Sequence, residues 1–287
     1  MANKRIIFII LVTWGFFFSG KIDHYSPPSS REIIDQMLKA VDNVKTLTYH
    51  LKVNERIKGT ILSTQSVVKL QRSPRKLYLF LYGPEVLWIE GKNNGNALVN
   101  PGAFPFFSLN LDPYGATLRK DQHHTIHEVG FDYLSDIIRA SVKKTGDKFD
   151  RNFLFIGEEK GGARACYKII ITYPEFAFNN YTVKKGEDLV AIARKFKISE
   201  YMILENNPAV DNFSNVKEGQ QIKIPNAYGK LTTLLIDKEY LLPIFNKIFD
   251  DKGLFESYEY QELKVNVKIP EEEFTKEFKG YHFKNIM

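Results

Sequence analysis

Lys76-Leu77-Tyr78-Leu79-Phe80-Leu81-Tyr82-Gly83-Pro84-Glu85-Val86-Leu87-Trp88-Ile89-Glu90 is the stretch on which the fold reading turns. Successive side chains of a strand point to opposite faces. Leu77, Leu79 and Leu81 therefore share one face, and Tyr78, Phe80 and Tyr82 share the other. Gly83-Pro84 ends the run, and a second apolar strand follows. A sheet apolar on both sides is either covered on both or lines a cavity. Moving outward, period two continues at 48–53, 60–70 and 96–99, with turn residues Gly59, Ser73-Pro74 and Asn93-Asn94-Gly95 between the runs. Short turns between neighbouring strands predict an antiparallel meander. Further strands are expected at 153–156, 166–173, 231–237, 255–260 and 263–269. Helical spacing appears at 29–45 (Ile33, Ile34, Met37, Leu38, Val41) and at 131–142 (Leu134, Ile137, Ile138). The class is α+β: a curved antiparallel sheet, a half-barrel, with helices on one face.

The 287 residues suffice for about two domains at roughly 150 residues each. With 44% hydrophobic and 26% charged residues, wholesale disorder is excluded. The formal charge of +6 is too small and scattered to point to nucleic acid. One cysteine, Cys166, forms no intramolecular disulfide and supports no multi-cysteine zinc site. Lys4-Arg5, the apolar run 6–18 and Ser19-Gly20 read as a secretory signal peptide over residues 1–20, with an uncleaved anchor as the alternative. Export across the inner membrane to the periplasm and cell envelope is the expectation.

Residues 180–225 break the β pattern. A short strand at Tyr181-Thr182-Val183 leads through Gly186 into a helix carrying Leu189, Ile192, Ala193 and Phe196. A second helix holds Met202, Ile203 and Leu204; then come Asn206-Asn207-Pro208 and a closing strand at Gly219-Gln220-Gln221-Ile222-Lys223-Ile224-Pro225. This βααβ unit resembles a LysM domain, the small carbohydrate-binding module of peptidoglycan- and chitin-recognising proteins. The resemblance implies binding of β-1,4-linked N-acetylglucosamine chains in a groove formed by Gly186, Glu187, Asp188 and Leu189 on one side and Asn206, Asn207 and Pro208 on the other. Two departures stand out. Glu187-Asp188 replaces the family's Asp-Thr, exchanging a hydroxyl donor for an acceptor-only carboxylate, and residues 211–215 lengthen the loop before the last strand.

The flanking parts read as one discontinuous domain, 24–178 with 229–287, whose strands 167–173 and 231–237 pair around the inserted module, 179–228. Arg72-x-Pro74-x-Lys76-x-Tyr78, Trp88-Ile89-Glu90-Gly91-Lys92 and Val99-Asn100-Pro101-Gly102 make this part similar to the LolA/LolB-like lipoprotein-carrier fold and to an uncharacterised secreted bacterial family of that kind. The resemblance implies an apolar cavity for an acyl chain, with Leu79, Leu81, Trp88, Phe104 and Phe106 as its candidate lining. A filled core is the alternative reading of the same apolar alternation.

No catalytic residue, metal site or cofactor is assigned. Cys166 lies within an expected strand, the setting of a buried structural thiol. His123-His124-Thr125-Ile126-His127 sits in an expected loop ahead of the second helix, where solvated histidines are the default. The resulting expectation is a non-catalytic envelope protein that binds peptidoglycan or a related N-acetylglucosamine polymer and holds a lipid or lipoprotein acyl chain. The alternatives are a peptidoglycan-remodelling enzyme and a structural envelope adaptor.

Overall fold

The computed structural model describes residues 27–284. The expected signal segment lies outside the described residues. No helix among the described residues is long and apolar enough to cross a membrane. Ser29 opens helix α1 (Ser30–Asp42) with a capping box: its hydroxyl accepts the Glu32 N–H, and the Glu32 carboxylate accepts the Ser29 N–H. The meander follows as β1 (Thr46–Ile57), β2 (Thr60–Arg72), β3 (Arg75–Phe80), β4 (Glu85–Ile89), β5 (Ala97–Asn100) and β6 (Leu109–Leu111). Helices α2 (Asp132–Thr145) and α3 (Phe149–Asn152) precede β7 (Phe153–Gly161) and β8 (Arg164–Thr172). The module comprises β9 (Phe178–Thr182), α4 (Leu189–Phe196), α5 (Glu200–Glu205) and β10 (Gln221–Pro225). The chain ends with β11 (Leu231–Asp237), β12 (Pro243–Asp250) and β13 (Gly253–Val265).

Eleven strands form one antiparallel sheet in the order β6-β5-β4-β3-β2-β1-β13-β12-β11-β8-β7; it is curved and does not close. Its middle is the pairing of β1 with β13, which joins residues about 200 positions apart, such as Val53 with Tyr258. β8 and β11 are partners from Cys166↔Asp237 to Thr172↔Leu231, and the module emerges from their shared end. The sequence pattern missed β12. Asn246 and Asp250 lie on its buried face, while Phe245 and Phe249 are only half-buried, so polarity alternates against the usual sense. The two runs expected after residue 254 fuse into the single long β13.

Both apolar faces of β3 are covered. Leu77 belongs to the core cluster that also holds Leu47, Val68, Leu70, Val86 and Trp88. On the other face, Tyr78 packs with Ile269 and Phe274 of the C-terminal segment, and its ring stacks on Tyr281 at 3.7 Å. A second cluster joins α1, α2 and α3 to β7, β8 and β11 through Ile33, Ile34, Met37, Ile138, Phe149, Ile169 and Leu234.

The module is fastened to the sheet by a buried seam. Met202 and Tyr201 of α5 share a cluster with Ile57, Ile248 and Phe255 of the sheet and Ile137 of α2. Arg56 of β1 reaches both Glu205 of α5, at 2.9 Å, and Asp250 of β12. Arg119 binds Glu200 at 2.9 Å, and its guanidinium lies 3.6 Å from the centre of the Phe213 ring. The Lys58 N–H donates to the Tyr201 hydroxyl at 3.0 Å.

Removing one partner of a buried ion pair leaves an uncompensated charge. Arg56→Ala is expected to lower stability by about 3–5 kcal/mol, measured by denaturant unfolding. Arg56→Met combined with Asp250→Leu is expected to cost less than Arg56→Ala alone.

Candidate glycan-binding site

The small sheet of the module pairs β9 with β10, from Thr182↔Gln221 to Phe178↔Pro225. Its core is Val183, Leu189, Ile192, Ala193, Ile198, Ile203, Val210, Ile222 and Ile224. Asp188 caps α4 by accepting the Ala191 N–H at 2.7 Å, and Ser199 caps α5 by accepting the Met202 N–H at 3.2 Å. In this setting the first groove loop meets the lengthened segment before β10: the Leu189 N–H donates to the Phe213 carbonyl at 2.9 Å.

The seven candidate residues divide by what they already bind. Glu187 accepts from the Lys195 ammonium at 2.8 Å, the Tyr181 hydroxyl at 2.7 Å and the Lys184 N–H at 3.0 Å. Asn207 is buried, and its amide donates to the carbonyls of Ile203 and Lys223 while its oxygen accepts the Lys223 N–H. This ties the second loop to β10. Asn206 ends α5 and donates to the Met202 carbonyl at 2.8 Å. Leu189 is 0% exposed and fills the module core, so its expected place in the groove is corrected: only its backbone borders the loop. Gly186 and Pro208 remain on the surface. Gly186 has φ +77°, the left-handed turn geometry that favours glycine. The lengthened loop delivers Phe213 to Arg119, a role that its exposed polar neighbours gave no reason to expect.

The five cavity candidates do not share a cavity. Trp88 is buried, donates from Nε1 to the Gly95 carbonyl at 3.0 Å and meets the edge of His127 at 4.7 Å. Leu79 and Leu81 pack against the same filled core. Phe104 and Phe106 lie outside it, 83% and 70% exposed. Their loop backbone presses on the preceding turn: a β-carbon at Gly102 would sit 2.5 Å from the Gly83 carbonyl carbon. Two crevices of about 10 Å³ each, room for one water, lie elsewhere, beside Val41 and Phe131 and beside Leu134 and Ile248. The expected apolar lining is thus split between core and surface.

The histidine segment departs further from expectation. It is a loop with a short 3-10 turn, but His123 is buried between the rings of Tyr201 and Phe255, and His124 faces inward. Both contact Glu256 of β13. The solvated reading is corrected for His123, which is buried, while His124 and His127 are partly buried; Glu256, which both His123 and His124 meet, comes from a strand distant in sequence. Cys166 is buried in β8, where burial pushes its thiol pKa up.

The Lys195 ammonium, with the Lys184 N–H and the Tyr181 hydroxyl, lowers the Glu187 pKa to about 2. A carboxylate whose folded pKa is depressed stabilises the fold above its unfolded pKa, and that contribution is lost as pH falls through the folded value. Carboxyl NMR titration is expected to place Glu187 near 2, and Lys195→Ala is expected to move it back toward 4.5.

Residues 44–185 match DUF1571, a family described as a protein of unknown function, and residues 181–225 match the LysM domain. No curated protein matches the chain. Among solved structures, it is similar to the Pseudomonas aeruginosa MucA/MucB complex at 10% identity, covering 86% of this chain and 60% of that chain, with a TM-score of 0.40. The chain therefore spans about three fifths of the length of that MucA/MucB relative. It is also similar to the Mycobacterium tuberculosis lipoprotein LppX (13% identity, 85% and 99% coverage, TM-score 0.39). A LolA superfamily protein from Nitrosomonas europaea is matched at 8% identity, 88% and 100% coverage, and a TM-score of 0.32. The chain carries a LysM domain at residues 181–225, set into an α+β sheet domain whose first part, within residues 44–185, matches DUF1571.

Proposed function

We propose that the chain is a non-catalytic cell-envelope protein that binds peptidoglycan, or a related N-acetylglucosamine polymer, through its LysM module. The LysM match at residues 181–225 carries this reading. The exposure of Gly186 and Pro208, one from each side of the expected groove, supports it. Backbone amides and side-chain amides suit N-acetyl and hydroxyl groups, and Pro208 offers an apolar patch to a sugar face. Because the seam clamps the module to the sheet, glycan binding would fix the position of the whole chain. In this reading the chain works outside the inner membrane, and Cys166, buried in a strand, is structural.

The test is cosedimentation with purified sacculi, together with an assay for released muropeptides. Deleting the module would uncover Ile57, Ile248 and Phe255, so surface variants are the sharper tool. Pro208→Asp is expected to weaken sedimentation at least threefold without changing the melting temperature. Equal sedimentation of the variant would move binding away from this groove, and muropeptide release would favour the remodelling enzyme.

An apolar ligand is the second part of the proposal, and the exposed rings of Phe104, Phe106 and Tyr82 support it as the point of contact. In this reading lipid is met at the aromatic tip, where these three rings stand 83%, 70% and 59% exposed. Trp88 fluorescence is expected to stay unchanged on adding monomeric fatty acid, whereas vesicle flotation is expected to fall for the Phe104→Ser, Phe106→Ser variant. A Trp88 response to monomeric fatty acid would instead indicate a core that opens.

A further inference from the structure

Glu55 of β1 and Glu256 of β13 are direct cross-strand partners in the central pairing of the sheet. Both are buried. Like charges placed opposite each other on antiparallel strands destabilise the pair, and burial removes the water that would screen them. The nearby arginines are committed elsewhere: Arg56 to Glu205 and Asp250, Arg119 to Glu200, and Arg194 to Glu128. Among the described residues, neither Glu55 nor Glu256 is ion-paired to a lysine or arginine. His123 presents Nδ1 to Glu256 at 2.7 Å and Nε2 to the Arg56 carbonyl at 2.9 Å. Glu55 accepts the His123 N–H at 3.1 Å and the Tyr258 hydroxyl; these donors are neutral, so with His123 alone as imidazolium the pair still sets two carboxylates against one cation.

His124 supplies the third member. Its Nδ1 lies 3.0 Å from a Glu128 carboxylate oxygen, which only accepts, so in the neutral ring the hydrogen sits on Nδ1. Nε2 then keeps its lone pair and faces Glu256 at 3.4 Å and the Tyr228 hydroxyl at 3.4 Å, both longer than an ordinary hydrogen bond. Tyr228 gives its hydrogen to Glu256 at 2.9 Å. One ligand atom each from Glu55, His124 and Glu256 can be chosen so that all lie within 4.8 Å of one another. Two ligands held about 2.1 Å from a tetrahedral ion are about 3.4 Å apart, the separation seen between His124 and Glu256. Glu128 stands behind the imidazole as the outer carboxylate that orients a metal-bound histidine. Glu128 is itself held by the Thr125 N–H and by Arg194 of the module.

We propose that Glu55, His124 and Glu256 form a binding site for one first-row divalent transition-metal ion, with zinc as its representative. One imidazole and two carboxylates select this class over calcium or magnesium, which take oxygen ligands in larger number or keep their waters. The Tyr228 hydroxyl borders the site, 2.9 Å from Glu256 and 3.4 Å from His124 Nε2, and a bound water would complete the shell. An ion here would cancel the repulsion across β1 and β13 and tie the histidine loop to the sheet. Through Glu128 and Arg194 it would also brace α4.

The test uses the full chain, stripped with chelator and titrated with zinc chloride by calorimetry, with metal content measured after gel filtration. One zinc per chain is expected, with no uptake of magnesium. Glu55→Gln and His124→Gln are each expected to weaken binding at least a hundredfold. Glu128→Gln is expected to weaken it ten- to a hundredfold. His50→Gln with His282→Gln, both at the surface, is expected to leave it unchanged. Circular dichroism checks that each variant is folded. Should the ligand variants fail to fold, zinc X-ray absorption on the unaltered chain decides: one imidazole with oxygen neighbours at about 2.0–2.1 Å is expected. Absence of stoichiometric binding, retained binding in the folded Glu55→Gln or His124→Gln variant, or a shell of two or more imidazoles would each overturn the proposal.

Discussion

The arrangement of this molecule depends on the guanidinium of Arg56. It projects from the central strand β1 and is shared between Asp250 on β12 of the same sheet and Glu205 of the inserted module. All three groups are largely removed from water, and each is tolerable there only because the others are present. The same contact therefore sets the approach of α5 to the sheet, the burial of Met202 beneath it and the stacking of Tyr201 on His123. A module of this kind attached by a loose linker would sample many orientations. Here its orientation is part of the folded state.

This seam changes how the sheet domain is understood. An open sheet with helices on one side invites a cavity, and the apolar runs of β3 and β4 look suited to line one. Two other segments of the chain meet that demand for cover. The C-terminal residues Ile269, Phe274 and Tyr281 shield the outer face of β3, and α5 with Phe213 closes the end of the sheet near β12 and β13. The rings of Phe104 and Phe106, in the loop between β5 and β6, are among the apolar groups that stay uncovered.

Much of this was legible in the residues. The inward residues of α1 and the βααβ unit follow from local spacing, and the pairing of 167–173 with 231–237 follows from two apolar strands that flank an inserted unit. The features that were not legible depend on distant partners. His123 is buried because Glu256, Tyr201 and Phe255 surround it, and no pattern near residue 123 announces them. β12 escaped notice because Asn246 and Asp250 occupy its inward positions. Leu189 was assigned to the groove on resemblance, whereas the helical spacing of Leu189, Ile192 and Ala193 already described a core face. Residues 211–215 read only as a lengthened loop, whereas their one aromatic residue, Phe213, packs against Arg119.

The way the module joins the sheet has a mechanical consequence. Both connections leave through one end of the β8 and β11 pair, zipped by the Tyr173 to Lys230 and Asn226 to Ala177 backbone bonds. A tension applied to the module, as from a strained polymer network, would draw these two strands lengthwise against β7 and β12. Hydrogen bonds loaded in that direction share the force side by side instead of opening one after another, so the attachment is geometrically suited to withstand pulling.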